Sequence, residues 1–236
     1  FPPNFKKNAL GKKRDNIFEW LNILNLDWIE LQNTYGVKMS DEQAFRYRCL
    51  SENFGIHISI HAPYFICFAS KKNDVVERSK QRMLQCFELA KKIGAERIIF
   101  HPGYPSSKEK KDRTIGINNI IDALNELEPF RPANVFVYPE TAGKKGQLGS
   151  VDEIIEICKA VKYARPCFDM AHIHGFGNGC LNDFSSIKTI FEKAALELGE
   201  KFTEHAHFHM YPVEYDINGE KKHKAFTDFC ENEPDK

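Results

Sequence analysis

The chain has 236 residues, 42% of them hydrophobic, and its 33 Lys and Arg balance 33 Asp and Glu. That length can bury one sizeable core, and α/β barrels routinely reach it as one unit, so a single domain over residues 1–236 is expected. Zero formal charge excludes a global electrostatic argument for a nucleic-acid or membrane partner, and no apolar run reaches the roughly 18 residues that a spanning helix needs.

The 7 cysteines are odd in number and form no Cys-x-x-Cys pair, and several lie in apolar periodic stretches, where Cys acts as a small hydrophobe. With no signal-peptide pattern, this reads as a cytoplasmic protein in a reducing compartment. Phe1 is not a start residue, so part of the parent protein is expected to lie outside this sequence.

In chain order, short β-rich runs alternate with helix-period segments. Strands are expected at Trp28–Leu31, His57–His61, Arg97–His101, Val135–Glu140, Cys167–Asp169 and Ala206–Met210. Helices are expected at Asp15–Leu26, Ser40–Phe54, Val75–Ile93, Thr114–Leu127, Val151–Val161 and Phe184–Leu198. Ser40 with Gln43 and Ser150 with Glu153 fit capping boxes, and Gly55, Gly94 and Gly199 stop helices.

An open doubly wound sheet would show the same alternation. No Gly-x-Gly-x-x-Gly follows a first strand to support a dinucleotide fold. What favours a (β/α)8 TIM barrel, without its first and last strands in this chain, is where the metal-competent residues fall. His61, His101, Glu140, Asp169 and His209 each close a different strand, and barrel enzymes build their sites at those ends. His172 follows Asp169 by one helical turn, and His223 sits in the next long loop. His57, His174, His205 and His207 lack this placement and read as on-strand partners, donors that support the ligands from behind, or loop residues.

Mixed imidazole and carboxylate ligands without thiolate suit zinc first, with manganese or iron as alternatives. Glu140 is the carboxylate expected to bridge two ions and to matter most to catalysis. Two or three ions held close together suit phosphodiester hydrolysis without a protein nucleophile.

At these residues the chain resembles the endonuclease IV family. The motifs are His-Ala-Pro-Tyr (61–64), Phe-His-Pro-Gly (100–103), Pro-Glu-Thr-Ala-Gly-Lys (139–144) with Gln-Leu-Gly (147–149), and Asp-Met-Ala-His (169–172). The resemblance implies a trinuclear zinc centre and hydrolysis of double-stranded DNA 5′ to an abasic site. Carried over by motif, His61 and His101 bind one metal and Glu140 bridges to a second, completed by Asp169 and His209. His172 and His223 serve the third. Tyr64 and Phe65 match the pair that pushes into the duplex at the flipped nucleotide.

The sequence departs from the family at three places. Lys221, beside Glu220, stands where the family has Asp. The last-strand Glu is matched only by Glu231, which comes early, and Cys67 and the loop Met210-Tyr211-Pro212 are unusual beside their ligands.

Lysines follow the strand ends: Lys71 and Lys72; Lys108, Lys110 and Lys111; Lys144 and Lys145; Lys221, Lys222 and Lys224. Loops on one face would then make a basic rim for DNA phosphates, with Lys144, Lys145, Lys221 and Lys222 nearest the ligands, on a monomeric protein. The alternatives are a one-ion sugar isomerase or epimerase of the xylose isomerase-like group and a relative that binds damaged DNA without cutting it. The number of histidines exceeds what a one-ion isomerase needs.

Overall fold

The computed structural model describes residues 3–225. A short helix α1 (Pro3–Lys7), two 3-10 turns and α2 (Ile17–Ile23) precede β1 (Trp28–Gln32). The alternation then runs α3 (Asp41–Phe54), β2 (His57–His61), α4 (Asn73–Ile93), β3 (Arg97–Phe100), α5 (Lys110–Leu127), β4 (Phe136–Pro139), α6 (Val151–Ala160) and β5 (Cys167–Asp169). It continues with α7 (Met170–Phe176), α8 (Phe184–Leu198), α9 (Glu200–Thr203) and β6 (His207–His209), and ends in β7 (Val213–Asp216) and β8 (Gly219–His223).

Strands β1 to β4 pair in parallel in sequence order, and so do β5 and β6. Parallel bridges Val137–Ala164 and Glu140–Cys167 join the two sets, giving a continuous curved wall with helices outside, as expected of a TIM barrel. The inner strands β2 to β5 are buried on both faces, as parallel strands under helices must be. The outer pair, β1 and β6, is only half-buried, and among the described residues side chains rather than ladder bonds meet across the gap between them.

One contiguous core fills the space between wall and helices, with Phe18, Ile58, Ile60, Met83, Phe87, Phe100, Ile120 and Phe168 among its buried members. Each such side chain contributes about 1.5–3 kcal/mol by leaving water. No helix among the described residues is long and apolar enough to cross a membrane. The cysteines described (49, 67, 86, 158, 167 and 180) are free.

The expected elements recur with physical corrections at their ends. The segment Asp15–Leu26 is a 3-10 turn followed by α2, which stops at Ile23 because Asn25 takes a left-handed φ of 53°. Helix α5 starts at Lys110, a turn before Thr114, after Ser107 Oγ has accepted the Glu109 N–H. Ser150 and Glu153 form a full capping box, whereas Ser40 makes only its own half. The stretch after His209, expected as a long loop, is the antiparallel hairpin β7–β8 around Ile217-Asn218.

Arg113 fastens two layers at the mouth of the barrel. Its guanidinium donates to both Glu153 oxygens at 2.6 Å and to the Gln147 carbonyl at 2.9 Å, while Glu153 accepts the amides of Gly149 and Ser150 at 2.9 Å. Arg113→Ala would leave Glu153 half-buried and short of its cation. A loss of about 2–3 kcal/mol, or roughly 5–10 °C in Tm, is expected. Arg113→Lys should recover little of it, since a point charge cannot make the fork. Thermal melts of the two variants check this.

Candidate metal centre

Five of the candidate ligands, His61, His101, Glu140, Asp169 and His209, are each the last residue of a strand or the first one beyond it. Glu140 follows β4 and is 1% exposed, and the parallel register sets it beside Cys167, with His61 and His101 on the side of β2 and β3. Asp169 ends β5 and caps α7, accepting the His172 N–H at 2.9 Å, so the cap fixes one candidate ligand against another. His209 ends β6.

These ends meet around the Glu140 carboxylate. His61 Nε2 lies 3.1 Å and His101 Nδ1 3.4 Å from Oε2, and His209 Nδ1 lies 2.8 Å and His172 Nδ1 3.6 Å from Oε1. Asp169 Oδ2 is 3.5 Å from His172 and 3.7 Å from His209. Three overlapping sets have donor atoms within 4.8 Å of one another: His61, His101 and Glu140; Glu140, Asp169 and His172; His172, Glu220 and His223. All of the sequence-derived ligands except Glu231 are therefore brought together; Glu231 lies outside the described residues.

Burial alone would raise the Glu140 pKa, but the electrostatic pull of the neighbouring His101 ring and hydrogen bonds from His209 and His61 outweigh it, and Glu140 stays ionised well below the usual range. Burial holds His101 down to about 4, so it is neutral at pH 7. Burial also lowers His209, yet hydrogen bonds to Glu140 and Glu30 overcome this and hold it up to about 10. For His172 the bond to Glu220 and the charge of Asp169 likewise outweigh burial, giving about 9. Burial raises Asp169.

The donor set fits a divalent metal. His101 Nδ1 is buried, 3.4 Å from Glu140 Oε2 and without a hydrogen-bond partner among the described residues, an orphaned nitrogen that a cation would satisfy. His61 Nδ1 lies 3.0 Å from the Ala62 carbonyl, and donating there puts the lone pair of Nε2 against a carboxylate oxygen. Two acceptors face to face call for a cation or a proton between them. Cys167 also adjoins Glu140 and His209, but burial pushes its thiol well above the ordinary value, so it packs as a hydrophobe.

The hairpin corrects the expectation at Lys221. A bulge between Glu214 and Tyr215 pairs Tyr215 with Glu220 and leaves Lys221 unpaired. Glu220 and His223, three apart, then both face the centre: Glu220 Oε2 lies 3.0 Å from His172 Nε2, and Oε1 lies 2.5 Å from His223 Nε2. Glu220 stands where the missing carboxylate was sought. Gly143 admits it, because a Cβ there would collide with Glu220 and His172, and the Glu220 amide donates to the Gly143 carbonyl at 2.8 Å. The Asn218-Gly219 turn between alternating runs was the signal in the sequence.

Two more residues join the centre that strand-end reasoning passed over. Tyr211 donates to Asp169 Oδ2 at 2.5 Å, and its ring lies 4.1 Å from that of His223, tilted by 39°. Glu30, in the middle of β1, contacts His209 and His207, which puts His207 among the supporting donors that the sequence allowed. The signal was a carboxylate inside a short strand.

The surrounding cleft, of about 930 Å³, is lined by Tyr64, Tyr104, Lys144, Lys221 and Lys222 among others. Tyr64, 55% exposed, stands at its rim beside His61 and His101, whereas Phe65, equally exposed, packs against Arg82 and does not line the cleft. The expected basic rim is only partly free. Lys145 turns to Asn178, Lys71 pairs with Asp112, and Lys221 and Lys224 each lie 3.7 Å from Glu214.

A family model described as "Xylose isomerase-like TIM barrel" matches residues 18–228. An uncharacterized protein of Methanocaldococcus jannaschii is 33% identical over 204 residues, covering 86% of this chain and 73% of that protein. A "Probable endonuclease 4" of Aquifex aeolicus is 29% identical over 148 residues, covering 60% of this chain; the chain spans about half, 50%, of that relative. Among solved structures, endonuclease IV from Thermus thermophilus has a TM-score of 0.63 at 17% identity, over 82% of this chain and 70% of its own. A D-psicose 3-epimerase has a TM-score of 0.64 at 14% identity, over 89% of this chain and 83% of its own. Identities this low show a shared fold alone.

The raised imidazoles set a pH dependence. A group whose pKa is raised on folding contributes stability fully present below its unfolded value, 6.5, and lost as pH rises through the folded value, about 9 for His172 and about 10 for His209. Chelator-treated protein is therefore expected to lose Tm steadily from about pH 6.5 to 10. Divalent metal needs deprotonated imidazoles, so its stabilising effect should be larger at pH 8 than at pH 6. Melts across that range with chelator or zinc check both; a chelated Tm that is flat or rising contradicts the first.

Proposed function

Since the chain belongs to the Xylose isomerase-like TIM barrel family, we propose that it is a divalent-metal-dependent phosphodiesterase that cuts double-stranded DNA at abasic sites, as a cytoplasmic monomer. One observation carries this reading: three overlapping ligand sets, sharing Glu140 and His172, offer four imidazoles and three carboxylates where a one-ion site needs about four donors. The motif resemblance to endonuclease IV and the "Probable endonuclease 4" relatives support it.

Divalent ions, zinc first and manganese or iron next, would supply Lewis-acid stabilisation of the charge that develops on the phosphate. His61, His101 and Glu140 would hold one ion. Glu140, Asp169 and His209 would hold a second, and His172, Glu220 and His223 a third. Glu140 belongs to two of these sets and sets their separation. Lys144, Lys221 and Lys222 line the cleft, where they would bind the flanking phosphates of an incoming strand. Tyr64, exposed beside His61 and His101, and the equally exposed Phe65 next to it in the chain would enter the base stack at the gap an abasic nucleotide leaves.

A sugar epimerase is the second reading, favoured by the equal likeness in fold to D-psicose 3-epimerase. Two measurements separate them. Elemental analysis of protein purified without chelator is expected to give two or three transition-metal ions; one ion favours the epimerase. A nicking assay on an abasic duplex should show cutting by the wild type, lowered at least about 100-fold in Glu140→Gln without loss of fold. Binding without nicking would identify a non-catalytic relative.

If the cleft lysines meet phosphates, log affinity for abasic duplex should fall with log salt, with a slope of about −0.9 for each contact. Lys144→Ala should make the slope shallower and leave metal content unchanged. A flat salt dependence in the wild type counts against a DNA substrate.

A further inference from the structure

His209 faces carboxylates on both sides. Its Nδ1 lies 2.8 Å from Glu140 Oε1 and 3.7 Å from Asp169 Oδ2, while its Nε2 lies 3.1 Å from Glu30 Oε2. Glu30 reaches it from β1, across a gap that no ladder bonds among the described residues close. The same Glu30 oxygen lies 3.2 Å from His207 Nε2; His207 and His209 are two apart on β6 and so share a face.

Arg97 gives this row a direction. Its Nη1 stands 3.4 Å from His207 Nδ1, and a guanidinium can only donate, so Nδ1 accepts and the proton of a neutral His207 sits on Nε2, towards Glu30. Arg97 is itself stacked over Trp28 at 4.3 Å and Tyr138 at 5.4 Å.

We infer that Glu30 is a positioning residue of the metal centre: it accepts the Nε2–H of His209 and thereby turns the lone pair of His209 Nδ1 towards Glu140 and Asp169. The inference rests on the proposal that this centre binds divalent ions. Imidazole ligands of metals commonly donate their second N–H to a carboxylate, which fixes ring orientation and tautomer. Here that carboxylate comes from the opposite side of the gap and is held by a second imidazole and, through it, by an arginine. The motif carry-over contains neither Glu30 nor His207.

Glu30, His207 and His209 could instead hold an ion of their own, since their donor atoms lie within 4.8 Å. Arg97 opposes this. It engages the one lone pair of neutral His207, and its fixed positive charge beside that ring repels a second cation.

The test uses the full chain, stripped of metal and titrated with zinc against a competing chelator, with long-range 1H–15N NMR of the zinc-loaded imidazoles. The wild type is expected to show His209 protonated at Nε2. Glu30→Gln should lose roughly 10–100-fold in affinity for one ion while the others bind as before. Glu30→Asp, which keeps the charge at shorter reach, should recover part of the loss. A merely structural Glu30 would lower the Tm of the stripped protein and leave zinc affinity of the folded fraction unchanged, which overturns the inference. So would His209 protonated at Nδ1, or the loss of one whole ion in both Glu30→Gln and His207→Gln, the mark of a separate site. A wild type that binds no zinc would bring down the metal-centre reading as well, whereas wild-type binding with an indifferent Glu30→Gln would bring down this inference alone.

Discussion

Everything at the mouth of this barrel is arranged around one buried carboxylate. Taking an ionised Glu out of water costs several kcal/mol unless charges and hydrogen bonds replace the lost hydration. Glu140 is 1% exposed and still ionised, because imidazoles from four separate segments converge on its two oxygens. No single helix or hairpin could supply that set. Parallel strands whose ends are level on one face can, so the fold and the site answer to the same constraint.

Identical side chains around Glu140 behave differently for local reasons. His101 touches it without a hydrogen bond, is buried, and stays neutral with its Nδ1 unpartnered among the described residues. His209 sits between two carboxylates and holds a proton well past neutrality in the metal-free state. A divalent cation would remove both anomalies at once, by meeting the orphaned nitrogen and replacing the proton. The neutral net charge conceals a similar local division, with Lys144 and Lys222 at the cleft while Lys71 and Lys224 are held by acids.

The barrel does not choose the chemistry. An endonuclease and a sugar epimerase superpose on this chain about equally well, with TM-scores of 0.63 and 0.64. Function on such a scaffold is decided by the number and placement of groups at the strand ends. The hairpin β7–β8 adds to that number: its bulge sends Glu220 and His223 to one face, and Gly143 clears the space they need.

The sequence by itself determined the alternation of strands and helices and singled out five candidate ligands at strand ends, because period-2 and period-3.6 patterns and the last residue of a strand are local properties. The capping box at Ser150 and the stops at Gly55 and Gly94 were legible for the same reason. The hairpin's Asn-Gly turn was local too, and only its register, shifted by one residue, hid Glu220 behind Lys221. Glu30 and Tyr211 were not legible. Glu30 meets His209 from 179 positions away, across a gap closed by side chains, and Tyr211 reaches Asp169 through a loop whose path depends on what it packs against. Contacts of that kind have no period in the chain, and only the tertiary structure decides which strand ends face one another.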